Sequence, residues 1–299
     1  MRPFQRSLAI AAASLLAAAP LAAQHDHHAM PGQQVGSVSF PTSCRADVQP
    51  AFERAVAMLH SFWFEAATAA FDSVAKADGQ CAMAHWGAAL TLAYNPFTMA
   101  APTEERRLAA LAHAERALAL ATTERERAWA NAVKVLYADP TPGLPGHRKR
   151  LQAHEDAMQA LRVAYPDDVE ATIFYARAVI ANAPPTDLTF ARQLHAGEIL
   201  EPLFASRPDH PGLAHYVIHT FDSPKLAKQG LAAARRYAGI APAAPHALHM
   251  PSHIFTRLGY WQESIETNRR SANAEPVPDA AVHPLDYMVY AYLQLGRDD

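Results

Sequence analysis

The chain has 299 residues, half of them hydrophobic and 18% charged, with a formal net charge of −3. That length allows one or two globular domains or one repeat array, and the apolar share excludes a disordered chain. The slightly acidic balance excludes a basic nucleic-acid-binding face, and two Cys are too few for a thiolate zinc site or a disulfide scaffold.

The first segment reads as an address. Arg2 and Arg6 precede an apolar run from Leu8 to Ala23, and Gln24 opens a polar stretch. A basic start, a short apolar core and small residues before a polar one predict a signal peptide over 1–23, cleaved after Ala23. The run is too short to cross a bilayer, and no later stretch of about 18 apolar residues exists. The mature chain is therefore expected in the periplasm or outside the cell, with no membrane insertion; a retained N-terminal anchor is the alternative. Residues 24–46 read as a flexible lead-in containing His25, His27, His28 and Met30. Such a tail is either simply solvated or binds copper or zinc loosely.

From Val48 onward apolar residues recur at helical spacing, and no segment alternates like a strand. The spacing predicts helices over 48–60, 65–77, 82–93, 103–121, 123–138, 147–164 and 168–182. It continues over 188–205, 211–221, 224–239, 245–258, 261–273 and 282–295. The domain spanning 47–299 is thus all-α. Ser223-Pro224 supplies an N-cap followed by Pro at the first helical position. Gly259 stands between two helices, where a left-handed residue costs little.

A period is visible in the prolines. Pro208, Pro242 and Pro276 are 34 residues apart, as are Pro211 and Pro245. They mark units 211–244 and 245–278 and a partial unit 279–299, each reading helix, turn, helix, Pro. The period is that of a tetratricopeptide repeat. The segment Ile254-Phe-Thr-Arg-Leu-Gly-Tyr-Trp-Gln-Glu-Ser-Ile265 resembles that superfamily, with a Leu-Gly turn, an aromatic opening the second helix, and small Ser264 following. Phe64 to Val74 resembles the second helix of another unit. The pairing of His215-Tyr-Val-Ile-His219 with His249-Met-Pro-Ser-His253-Ile-Phe is similar to a subset of exported bacterial tetratricopeptide-type proteins. The resemblance implies a right-handed α-solenoid of helical hairpins whose first helices line a concave groove. It also implies a binding or scaffold role, with a peptide or protein segment in that groove. The final Leu295-Gly-Arg-Asp-Asp299 matches the turn after a first helix with no partner helix behind it. A C-terminally truncated array is expected, with Tyr287, Val289, Tyr290 and Leu293 partly bare; coverage by a neighbouring molecule is the alternative.

Histidine carries the same period. His215 and His249, His219 and His253, and His249 and His283 are each 34 residues apart, in the register of the prolines. His215 and His219 share one helix face, as do His249 and His253, and His246 lies one turn before His249. Metal ligation is expected from His215, His219, His249 and His253, with His246 and His283 nearby and Asp222 and Tyr287 as groove candidates. Clustered neutral imidazoles suit zinc or copper. An open ligand position would let a metal-bound water ionise near neutral pH, so a metal-dependent enzyme or a metal carrier is the alternative to a binding protein. No Glu follows the first His of either pair as in a zinc-protease helix, and no Gly-x-Ser-x-Gly elbow or Gly-rich phosphate loop occurs. The sequence names no catalytic residue. A groove without metal, or purely structural histidines, would give the same pattern.

Three further readings are open. Pro251 either kinks the 245–258 helix and re-aims His249 toward His215, or marks a late helix start near Ser252. Cys44 and Cys81 occupy equivalent corners of adjacent hairpins and either pair as a disulfide or stand as separate small apolar residues. His60, Trp63, His85 and Trp86 form either a second pocket or core, while His154, His195 and His210 share no register.

Overall fold

A computed structural model describes residues 33–93, 95–98, 100–274 and 281–297. The expected signal peptide, residues 24–32 of the lead-in, the 275–280 link and the last two residues lie outside the described residues. Every regular element described is helical. The order is α1 (Gln49–His60), α2 (Phe64–Ala77), α3 (Ala82–Thr91), α4 (Glu104–Leu120) and α5 (Glu124–Ala138). Next come α6 (Gly143–Ala164), α7 (Val169–Ala181), α8 (Ala191–Ser206), α9 (Pro211–Phe221) and α10 (Ala227–Ile240). The series ends with α11 (Pro245–His249), α12 (Pro251–Leu258), α13 (Trp261–Ala274) and α14 (Val282–Gln294).

Local chemistry sets many of these boundaries. The side chains of Thr103, Thr123 and Asp168 accept hydrogen bonds from the backbone N–H three residues on, capping α4, α5 and α7. His210 caps α9 in the same way through its ring, and Pro211 takes the first helical position. Gly259 ends α12 at φ +75°, the left-handed geometry expected there. The Ser223 cap does not form. Residues 223–226 make a turn, α10 begins at Ala227, and the buried Ser223 hydroxyl finds no partner.

Two layers follow from the burial pattern. Helices α3, α7 and α9 are buried almost throughout, so they read as apolar on all faces. Helix α4 buries only the stripe of Arg107, Ala110, Ala114 and Ala117. The inner layer packs α1 on α3, α3 on α5, and α7 on α9, and α9 returns to touch α1. Its centre is filled by Phe40, Phe52, Trp86, Trp129 and Phe174, none of them accessible to solvent. Trp86, Trp129 and Phe174 stand edge-on to one another at ring separations of 5.3–5.5 Å. Trp86 is thus core rather than pocket wall.

The lead-in is corrected from residue 33 onward. Val35, Val38 and Phe40 are buried in the hydrophobic core. Ser37 N–H donates to the Asp209 carbonyl, and Ala243 N–H to that of Gln34. The Ser43 backbone N–H and hydroxyl both donate to the buried Glu126 carboxylate, at 2.7 and 2.6 Å. The segment is a strap across the molecule. It ends at a Cys44–Cys81 disulfide that joins it to the start of α3.

At the other end, α14 packs on α13 and leaves Val289, Tyr290 and Leu293 about half exposed. Pro251 divides the expected 245–258 helix into α11 and α12, with Met250 shared between them.

The disulfide closes a 37-residue loop. In the chain-entropy treatment that stabilises by about 4 kcal/mol. Replacing both cysteines by Ala should lower the unfolding free energy in urea by about that amount. Equal midpoints for the oxidised and substituted chains would show that the bridge contributes nothing.

Candidate metal centre

Six histidines on four helices meet at one end of the inner layer. They form two groups of three rather than the expected set of two from each repeat. His215 and His219 from α9 join His246 from α11; His249 from α11 and His253 from α12 join His283 from α14. Within each group the ligand-capable atoms lie within 4.8 Å of one another. The break at Pro251 explains the sorting. It is His246, not His249, that reaches His215, while His249 turns toward His253 and His283.

The ring nitrogens are committed by their partners. His215 Nδ1–H donates to the His60 carbonyl at 2.6 Å, so its Nε2 carries the lone pair. That Nε2 has His219 Nε2 at 3.0 Å and His246 Nε2 at 3.1 Å. In the second group, Asn268 donates its amide N–H to the Ser264 carbonyl, which turns its oxygen toward His249. His249 Nδ1–H donates to that oxygen at 2.6 Å. His253 Nδ1–H donates to Asp222 at 2.8 Å, and Arg257 holds the other Asp222 oxygen at 2.9 Å. Both Nε2 atoms are left bare, yet they face each other at 3.0 Å. Two lone pairs at that distance repel unless a cation lies between them. Ligand nitrogens about 3.3 Å apart follow from metal–nitrogen bonds of about 2.0–2.1 Å at a tetrahedral ion. The observed spacings are close to that, and the carboxylate and carbonyl partners are those that orient metal-binding imidazoles. The two expected groove residues are both here. Asp222 fixes His253, and the Tyr287 hydroxyl lies 3.4 Å from His253 Nδ1.

The environment favours the neutral form of the most buried rings. Burial, reinforced by neighbouring imidazoles, pushes His219, His246 and His249 well below the usual histidine range. Burial takes His215 down to about 3. Neutral imidazole is the metal-binding form. Phe62 and Phe97 wall the first group, with Phe62 4.4 Å from the His215 ring and Phe97 4.2 Å from that of His219. Phe62 holds φ +52°, a left-handed backbone that costs a non-glycine residue free energy and aims its ring at the histidines. His283, on the solvent side, is exposed.

Sequence reasoning missed the support beneath the site. His60 and His210 share no register, yet both donate to Glu170, at 2.9 and 2.8 Å. Tyr216 bonds the other nitrogen of His60 at 3.0 Å, and Leu213 N–H donates to that of His210. Burial opposes ionisation of Glu170, but His210 and His60 hold its carboxyl down at about 2. Gly212 lies against the His60 ring, and a β-carbon there would come within 2.4 Å of it. This trio is fully hydrogen-bonded and reads as a structural brace. The only sequence signal for it was Gly212 one turn before His215. His85 meets His113 at 3.4 Å, and His195 lies 3.4 Å from the Tyr175 hydroxyl, both away from the six. His154 is buried on the Ala132 carbonyl.

No protein-family model matches the chain, and no curated protein matches it.

The depressed histidines make folding acid-sensitive. Burial lowers His60 and His154 to about 4 in the folded chain, against an unfolded value of 6.5. Below pH 6.5 the unfolded chain therefore binds more protons, and stability is lost as pH falls toward 4. Urea midpoints should be level above pH 7 and decline steadily between pH 6.5 and 4. A midpoint that is unchanged at pH 5 would contradict the buried neutral rings.

Proposed function

We propose that the chain is an exported helical-repeat protein of tetratricopeptide type that binds zinc or copper through its clustered histidines. The observation that carries this reading is the pair of bare Nε2 atoms of His249 and His253 at 3.0 Å, with both Nδ1–H groups already donated. Burial disfavours a proton on His249. A metal ion satisfies both lone pairs at once. The repeat reading rests on the 34-residue period of prolines and histidines and on the stacking of successive hairpins. Export rests on residues 1–23, and a mature protein starting at Gln24 is the expected outcome of intact-mass analysis of the secreted chain.

A second reading, a metal-dependent enzyme or carrier, is favoured by one feature. Each group supplies three nitrogens, one short of a closed tetrahedral shell, and open positions belong to sites that react or exchange. A peptide or protein segment in a concave groove rests on the repeat resemblance alone.

The test is elemental analysis of the mature, untagged chain after dialysis against trace copper and zinc. Metal should remain bound, and H249A/H253A should lose the ion that those two rings hold, with helical circular dichroism intact. Asp222→Asn should weaken affinity about 10–100-fold, as loss of an orienting carboxylate does. A chain that retains no metal would end the proposal.

A further inference from the structure

We infer that the six histidines hold two copper ions, one in each group of three, near enough to share a ligand. The inference rests on the metal-binding reading above and adds number, identity and spacing.

The number follows from how the rings are held. Each group has its own anchors: the His60 carbonyl for the first, Asn268 and Asp222 for the second. The close nitrogen contacts, 3.0 and 3.1 Å, all fall inside a group. Between groups the nearest rings are His246 to His249 at 6.0 Å and His219 to His253 at 6.1 Å. A single ion in the first group leaves the bare His249 and His253 nitrogens facing each other. A single ion in the second leaves His215 Nε2 with two ring nitrogens crowding one lone pair. One ion per group resolves both.

The spacing follows from the same rings. Ring separations across the groups match the widest separations within them, 6.3 Å for His219 to His246 and 6.2 Å for His253 to His283. The groups are therefore contiguous, and ions bonded inside each are neighbours, as in two-metal sites whose ions lie about 3.5–4 Å apart. The identity follows from the donors. All six are imidazoles, no carboxylate is among them, and copper leads the affinity order for such nitrogen sites. Paired ions held by neutral ligands repel, which favours a small bridging anion from solvent between them. Access is from the α14 side, where His283 is exposed and Tyr287 is half-buried; Phe62 and Phe97 close the opposite side.

The experiment is titration of the full mature chain with copper(II) sulfate, gel filtration, and then copper and protein assay with electron paramagnetic resonance. Two copper ions per chain are expected, with a resonance signal well below the copper bound, because ions sharing a ligand couple their spins. H219A/H246A and H253A/H283A should each keep one ion and regain the full signal for it. The fourfold variant should keep neither; copper surviving there overturns the assignment of the ions to these two groups. One ion in the unsubstituted chain overturns the two-ion inference and leaves the metal-binding reading standing. No ion overturns both. Two ions with undiminished signal overturn the shared ligand. Circular dichroism of each variant separates loss of ligand from loss of fold.

Discussion

A hydrogen bond from the His215 ring to the His60 carbonyl spans 155 residues of sequence, and the rest of the structure is arranged around it. It brings the end of α1 against the middle of α9, closing the inner layer on itself. A bond of this kind contributes only about 0.5–1.5 kcal/mol net. Its importance is in what it forbids, since an unmet ring N–H or carbonyl buried here would cost more than the bond gains. The closure is therefore all or nothing. Gly212 permits it by leaving room for the His60 ring, and Glu170 enforces it by holding that ring from the far side.

The same bond decides chemistry. By fixing the proton on His215 Nδ1 it presents the lone pair on Nε2 to His219 and His246. Asn268 and Asp222 do likewise for the second group. Fold and proposed function thus use one set of contacts. The buried polar brace of His60, Glu170 and His210 is costly to desolvate and would be replaceable by apolar packing if stability alone counted. Its placement directly under the histidine groups accounts for its presence better than stability does.

The helices were legible because their signals are local. Apolar spacing placed their cores and most starts within a few residues, while the Ser223-Pro224 cap signal failed. Five histidines of the site were legible because a 34-residue period links them, and His246 because it lies one turn before His249. Their division into two groups was not, because it depends on how Pro251 separates α11 from α12 and rotates His246 relative to His249. The lead-in misled because its apolar residues are sparse; Phe40 packs on Trp86 and Trp129, far along the chain, as well as on nearby Phe52. Asn268, Glu170 and Phe62 carry no pattern at all. Each matters through a partner that only the closed fold supplies.

The distance in sequence between the two ends of the closing bond also imposes an order in time. A ribosome delivers His60 long before His215, and His215 before the α14 histidine. Until most of the chain has emerged, neither set of three nitrogens is complete, because the first needs His246 and the second His283. Ion capture must therefore come after assembly of the fold rather than seed it, unlike small metal-nucleated domains. An unfolded chain offers a passing ion no fixed set of three nitrogens, so what it binds it holds loosely.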